Sequence, residues 1–218
     1  ERPLTFNNND RPGIMLANSV SKYLNGYGVN LGKNIVIFTN NDSAYQTAID
    51  YHHHNIKVSA IVDLRSKIEG DLPLLVKSLG IKIYSGYIIS DTSGRKKITS
   101  VTIEKFEEKN KTKKNIEELS CDLLCMSGGW SPTVHLFTQS RGKLKFREED
   151  SCFVPYQSYE QTISVGACNG IFNLKNILED TKKSVNNLLG ENKNESANIE
   201  IYSAEEIKLG RQKNSWLV

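Results

Sequence analysis

The sequence predicts an α/β fold built on a parallel sheet, and three stretches carry that prediction. The first is the run from Lys33 to Arg65, which reads as strand, turn, helix, strand. Ile35, Val36, Ile37 and Phe38 form a continuous apolar run, as expected of a strand buried on both faces. Asn40-Asn41-Asp42-Ser43 interrupts it with turn and helix-capping residues. Ala44, Ala48 and Ile49 recur at helical spacing, and Val58 to Val62 makes a second apolar run closed by Asp63. The second stretch, Ile81 to Phe106, gives strand-like pieces, with Gly86 breaking the first and Asp91-Thr92-Ser93-Gly94 turning between them. The third, Asn115 to Cys125, runs into a Ser-Gly-Gly turn.

A βαβ unit of about 30 residues with an acidic residue at the tip of its second strand is the core of a dinucleotide-binding fold. The fingerprint that normally accompanies it, G-x-G-x-x-G at the first turn, lets backbone approach a pyrophosphate. Here that turn is Thr39-Asn40-Asn41-Asp42-Ser43-Ala44, without glycine. Side chains would fill the space a pyrophosphate needs, and Asp42 would repel it. The site of this unit is expected to be degenerate, with Asp63 as the remnant of a ribose contact.

At 218 residues the chain suffices for one large domain or two small ones. A net charge of +3 gives no argument for nucleic acid. No apolar run has the length of a membrane span, and no signal peptide is visible. Cys121, Cys125, Cys152 and Cys168 include no C-x-x-C pair; they are expected to be reduced, mostly buried thiols of a cytoplasmic protein. The first residue, Glu1, and the apolar close Trp216-Leu217-Val218 suggest a piece of a longer chain.

Taken in order, Glu1 to Pro12 is a polar loop. Gly13 to Gly28 is expected to be a helix, from Ile14, Leu16, Ala17, Val20, Tyr23 and Leu24. After the central unit, Pro73 to Leu79 is a short helix ended by Gly80. Ile98 to Phe106 alternates as a half-buried strand does, and Glu107 to Lys114 is a charged hairpin tip. Thr133 to Lys145 is polar and irregular, Thr162 to Val165 a short strand, and Gly166-Ala167-Cys168-Asn169-Gly170 a turn opening a helix from about Leu174 to Leu189.

This order of pieces resembles the flavoprotein class with two dinucleotide-binding domains. Within it, the stretches ERPLTFNNNDRPGIML, VIFTNNDSAY, CDLLCMSGGWSPTVHLFTQSRGKL and GACNG resemble the alpha subunit of heterotetrameric sarcosine oxidase. The resemblance implies an incomplete FAD/NAD(P)-binding, Rossmann-like domain made of residues 1–32 and 116–190. It further implies an inserted NAD(P)-binding-like domain, βαβ plus three-strand meander, at 33–115, and a linker at 191–218 toward a folate-binding aminomethyltransferase-like domain. It implies an enzyme complex that demethylates sarcosine to glycine, passes the one-carbon unit to tetrahydrofolate and reduces oxygen to hydrogen peroxide. The partners would be beta, gamma and delta subunits. NAD would bind the alpha subunit, FMN the alpha–beta interface and FAD the partner subunit. The corresponding subunit of a related amino-acid or amine dehydrogenase, or a non-catalytic domain docking a flavin-bearing partner, are the alternatives.

Two segments are candidate sites. Gly166, Ala167, Asn169 and Gly170 follow a predicted strand and precede a helix, where free backbone N–H groups favour a phosphate, here that of NAD; the alternative is a plain strand–helix connection. Thr133, His135, Arg141 and Lys143 lie in a stretch that would face the FMN phosphate or the beta subunit, with Arg141 or Lys143 as anion partner; the alternative is a solvated loop. His52-His53-His54 does not read as a metal site, because successive helical residues point about 100° apart. No nucleophile–base pair or catalytic carboxylate pair is evident.

Overall fold

The computed structural model describes residues 1–106 and 116–190. The charged run 107–114 and the linker 191–218 therefore lie outside the described residues. What is described divides into two compact units, 1–129 and 130–190.

In the first unit, β1 (Ile14–Leu16) leads directly into α1 (Ala17–Tyr27), β2 (Asn34–Thr39), α2 (Ser43–His53), β3 (Lys57–Asp63), α3 (Asp71–Ser78) and β4 (Ile83–Ser85). A meander follows, β5 (Tyr87–Ser93), β6 (Ser100–Lys105) and β7 (Glu117–Ser120), and β8 (Leu123–Ser127) closes the unit. β1, β8, β2, β3 and β4 form one parallel sheet in that order, and the meander is a separate antiparallel sheet, β5-β6-β7.

The continuous apolar strands are explained by what lies on each face. Side chains alternate across a strand, so Ile35 and Ile37 of β2, Ile61 of β3, and Leu123 and Cys125 of β8 share a core with Ala17, Val20 and Leu24 of α1, Ala44, Tyr45 and Ala48 of α2, and Leu72 and Val76 of α3. Val36 and Phe38, Ala60 and Val62, Leu124 and Met126 face the other way, against Ile88, Ile89, Val101 and Ile103 of the meander and against Leu4 and Phe6. The unit is thus three layers: helices, parallel sheet, meander. Gly86, at φ +73°, ends β4 and starts β5, and its N–H donates to the carbonyls of Asp63 and Arg65, both at 2.8 Å.

Several sequence expectations change here. The predicted Gly13–Gly28 helix begins only at Ala17, because Ile14, Met15 and Leu16 pair with Leu124, Cys125 and Met126 as a strand. The predicted Asn115–Cys125 strand is two strands in two different sheets, β7 and β8, separated at Cys121-Asp122. The division into 1–32 with 116–190 against 33–115 does not match the layers. β1 and β8, taken from the first set, hydrogen-bond into the same sheet as β2, β3 and β4, taken from the second. A parallel strand buried on both faces needs neighbours on both sides, and for β2 these are β3 and β8.

The second unit holds α4 (His135–Gln139), a hairpin of β9 (Lys143–Arg147) and β10 (Cys152–Gln157), a 3-10 turn over Gly166–Asn169, and α5 (Leu174–Leu189). The hairpin was not anticipated, since Thr133 to Lys145 was expected to be irregular, and Thr162 to Val165, expected to be a strand, is not one. Phe146 and Phe153 stack edge to face on the hairpin at 5.3 Å between ring centroids.

Candidate functional site

In open parallel sheets, ligands bind beyond the carboxyl ends of the strands, where the chain reverses its direction of progress across the sheet. Here that point lies between β2 and β8. β2 goes on to β3 and β4 on one side, while the chain returns later to insert β8 on the other. The register places Thr39 opposite both Asp63 and Ser127, so the ends of three strands are level.

The turn after β2 is satisfied from within. The Thr39 hydroxyl donates to the Asn41 carbonyl at 2.9 Å and accepts from the Asn41 N–H at 3.1 Å. The Asn41 side-chain oxygen accepts from the Ser43 N–H at 3.0 Å and from its hydroxyl at 2.6 Å, which caps α2 in place of Asp42. The Asn41 amide nitrogen donates to the Ser127 hydroxyl at 3.1 Å and carbonyl at 3.2 Å. Asn41 thus bridges β2 to β8 across the reversal point.

Beside it lies a buried charged cluster. Arg65 is 4% exposed, Asp42 2% and Asp63 0%. The Arg65 guanidinium pairs with Asp42 at 2.7 Å and with Asp63 at 2.7 Å through Oδ2, and donates from Nε to Asp63 Oδ1 at 3.0 Å. The Arg65 backbone N–H donates to the same Oδ1 at 2.8 Å, and the Tyr45 hydroxyl donates to Oδ2 at 2.8 Å. Both Asp63 oxygens are therefore engaged twice. Burial, together with the Asp63 charge, raises the Tyr45 phenol far above its ordinary value, so it remains a donor. Burial opposes the charge on Arg65, but Asp63 and Asp42 more than offset it and raise its pKa further.

Glu1 meets Ser127 at the end of β8. Its carboxylate accepts from the Asn18 N–H at 2.9 Å and serves as the cap that α1 lacks at Leu16. Burial raises its pKa. Arg2 pairs with the end of β8: its N–H donates to Gly129, the Gly128 N–H donates to the Arg2 carbonyl, each at 2.7 Å, and its Nε donates to Gly128 at 3.1 Å. A separate cavity of about 420 Å³ opens between α3 and β4, lined by Ser66, Ile68, Pro73, Leu74, Lys77 and Ile83 among others.

The cofactor segment predicted in the second unit is arranged as follows. Gly166 to Asn169 forms the 3-10 turn, and α5 begins four residues beyond Gly170 with Asn173 as its cap, its Oδ1 accepting from the Asn176 N–H at 3.2 Å. The Gly166 N–H donates to Asp180 at 3.1 Å and the Gly170 N–H to Ala167 at 3.1 Å, so two of the amides expected to meet a phosphate are engaged within the unit. Arg147 pairs with Asp150 and donates to the Gly170 carbonyl at 2.8 Å, tying the hairpin to the turn. Ala167 is exposed and Asn169 half-buried. Of the other predicted residues, Thr133 precedes α4, His135 begins it, Arg141 follows it in a left-handed conformation at φ +64°, and Lys143 begins β9; all four are exposed. Among the described residues no group of three or more His, Cys, Asp or Glu could hold a metal ion. No helix among them is long and apolar enough to cross a membrane.

Arg65, Tyr45 and Asn41 were missed as a group by sequence reasoning. The available signal was an arginine two residues beyond the acidic strand tip, which only the fold turns back onto that tip.

The layers and strand order give the first unit a Rossmann-like α/β fold. Over 88% of the chain and 59% of the other, the bacillithiol disulfide reductase of Staphylococcus aureus is similar in fold, with a TM-score of 0.58 at 13% identity. The Mycobacterium tuberculosis FprA structure in complex with NADPH matches 88% of this chain and 61% of its own at 0.56 and 12% identity. No family model matches. At the level of sequence the relationship is narrower. The chain is 34% identical over 180 residues, 82% of its length, to sarcosine oxidase subunit alpha of Corynebacterium sp. (strain P-1), and 34% identical over 154 residues to that of Rhizobium meliloti (strain 1021). Over this region the chain is a relative of the sarcosine oxidase alpha subunits; it spans 18% and 14% of the length of these two proteins.

Proposed function

We propose that the chain serves in the alpha subunit of a sarcosine oxidase-type complex, as dinucleotide-fold framework and subunit interface. The observation that carries this reading is the 34% identity over 180 residues to a sarcosine oxidase alpha subunit. On this reading the complex removes two electrons from sarcosine, yields glycine, hands the one-carbon unit to tetrahydrofolate and reduces oxygen to hydrogen peroxide. The beta, gamma and delta subunits complete the complex, which works in the cytoplasm.

FAD in the partner subunit and FMN at the alpha–beta interface would supply the redox chemistry, and NAD would bind the alpha subunit. The residues of this chain fit these roles unequally. The exposed Thr133, His135, Arg141 and Lys143 are available to a partner or to a phosphate of FMN. The exposed Ala167 and half-buried Asn169 and Gly170 leave part of the 166–170 turn accessible to an NAD phosphate. The strand ends of the first unit do not fit a dinucleotide, since their donors and carboxylates are turned inward on one another.

The test uses the full-length protein that carries this chain, purified with its partner subunits. Sarcosine-dependent peroxide formation is expected from the complex and not from this chain alone. Arg141→Ala with Lys143→Ala is expected to lower FMN content. Turnover by the chain alone, or a complex inert toward sarcosine, would overturn the reading.

A further inference from the structure

The strand ends of the first unit have the topology of a nucleotide crevice and the wrong chemistry inside it. In an occupied site the carboxylate at the tip of the second strand accepts the ribose hydroxyls, and the turn after the first strand leaves backbone N–H groups open to the pyrophosphate. Asp63 stands at that tip and is fully buried, with each oxygen already accepting two hydrogen bonds. The turn directs the Asn41 side chain to Ser43 and Ser127, so the amide at the start of α2 is capped and the reversal point is bridged. Asp42 adds a second buried negative charge where a pyrophosphate would sit, and Arg65 neutralises it at 2.7 Å.

We propose that this crevice is plugged from within: Arg65 occupies the ribose-binding carboxylate as an internal ligand, and Asn41 bridges the pyrophosphate position, so the crevice is a closed structural site that admits no dinucleotide. A guanidinium suits the role because its planar fork meets two carboxylates at once, which an ammonium cannot reproduce. A plug of this kind replaces the ligand-dependent ordering of the turn with a permanent one. The inference holds whichever complex the chain serves, since it rests only on contacts inside the first unit.

The test is amide exchange of the full chain with NAD, NADP and FAD added singly, read at residues 40–45 and 63–66. No nucleotide is expected to slow exchange there. Protection confined to residues 166–170 agrees with the plug and supports the cofactor segment separately. Arg65→Ala is expected to lower Tm by roughly 10 °C, and low-millimolar guanidinium, but not ammonium, is expected to restore part of the loss. Arg65→Lys, which keeps the charge but not the fork, should fall between and serves if Arg65→Ala does not fold. Protection of residues 40–45 by any nucleotide in the unmodified chain would overturn the proposal. So would an Arg65→Lys variant as stable as the unmodified chain.

Discussion

Gly128→Ala tests how the amino-terminal segment is held over the strand ends. A Cβ at this position would lie 2.7 Å from the Pro3 carbonyl oxygen and 3.2 Å from that of Arg2. Both obstacles are backbone, so the segment itself must move. Three hydrogen bonds depend on its present place: Arg2 N–H to Gly129, Gly128 N–H to Arg2, and Arg2 Nε to Gly128. Each contributes about 1 kcal/mol net, and partial recovery by water leaves a loss of roughly 1–2 kcal/mol. Leu4, fully buried among the meander-facing residues, would be partly uncovered for about 1–2 kcal/mol more. The expected total is about 2–4 kcal/mol, measured by urea unfolding followed by circular dichroism. Gly28→Ala is the control: nothing lies within 4 Å of its Cβ, and only its φ of +64° resists, at about 1 kcal/mol. Equal losses in the two variants would refute the steric reasoning, as would a Gly128→Ala loss below about 0.5 kcal/mol.

Two further outcomes are expected. Tyr45→Phe removes one donor from Asp63 while Arg65 remains, so thermal unfolding should show a loss of about 1–3 kcal/mol, well short of that for Arg65→Ala; an unchanged Tm would mean the hydroxyl is not a partner of Asp63. Cys121 is buried, and burial reinforced by Asp122 pushes its thiol from 9.0 up to about 12. A group whose folded pKa is raised contributes stability that is complete below the unfolded value and lost as pH rises through the folded one. Stability should therefore fall between about pH 9 and pH 12, by up to roughly 4 kcal/mol from this thiol, and Cys121→Ala should flatten that slope. An identical slope in the variant would remove Cys121 as the cause.

The central βαβ unit was legible because local pattern and tertiary setting agree there. Ile35 to Phe38 is apolar at every position because the strand has a helix layer on one side and a meander on the other. Asn40 to Ser43 signalled a turn without glycine, and the closed turn follows from it. The domain division was not legible. β1 is three residues long and runs without a break into helical spacing, and its partner β8 lies more than a hundred residues away in sequence. Parallel pairing leaves no local mark comparable to a hairpin turn. The β9–β10 hairpin was hidden for a different reason: its strands are half-exposed and carry Lys143, Lys145 and Arg147, so they read as polar loop. Around the crevice, the sequence displayed the missing glycine and the acidic tip but not the return of Arg65 onto Asp63, which depends on the bend after β3.

The place of β8 between β1 and β2 has a consequence for the order of assembly during synthesis. Strands β1 to β4 and all three helices that cover them emerge from the ribosome before the strand that joins β1 to the rest. From the end of β2 at Thr39 to the end of β8 at Ser127 the ribosome adds 88 residues, a wait of roughly 5–20 s at ordinary elongation rates. Through that interval β2 presents an unpaired edge of Asn34–Thr39, where a foreign strand can pair. β8, which joins β1 to β2, is the last strand of this sheet to arrive, so stalled nascent chains that end before Leu123 should be open to proteolysis around β1 and β2 and those extending well past Ser127 protected. Completion of this sheet therefore waits on the synthesis of a strand that lies 84 residues beyond the end of β2 at its start, Leu123.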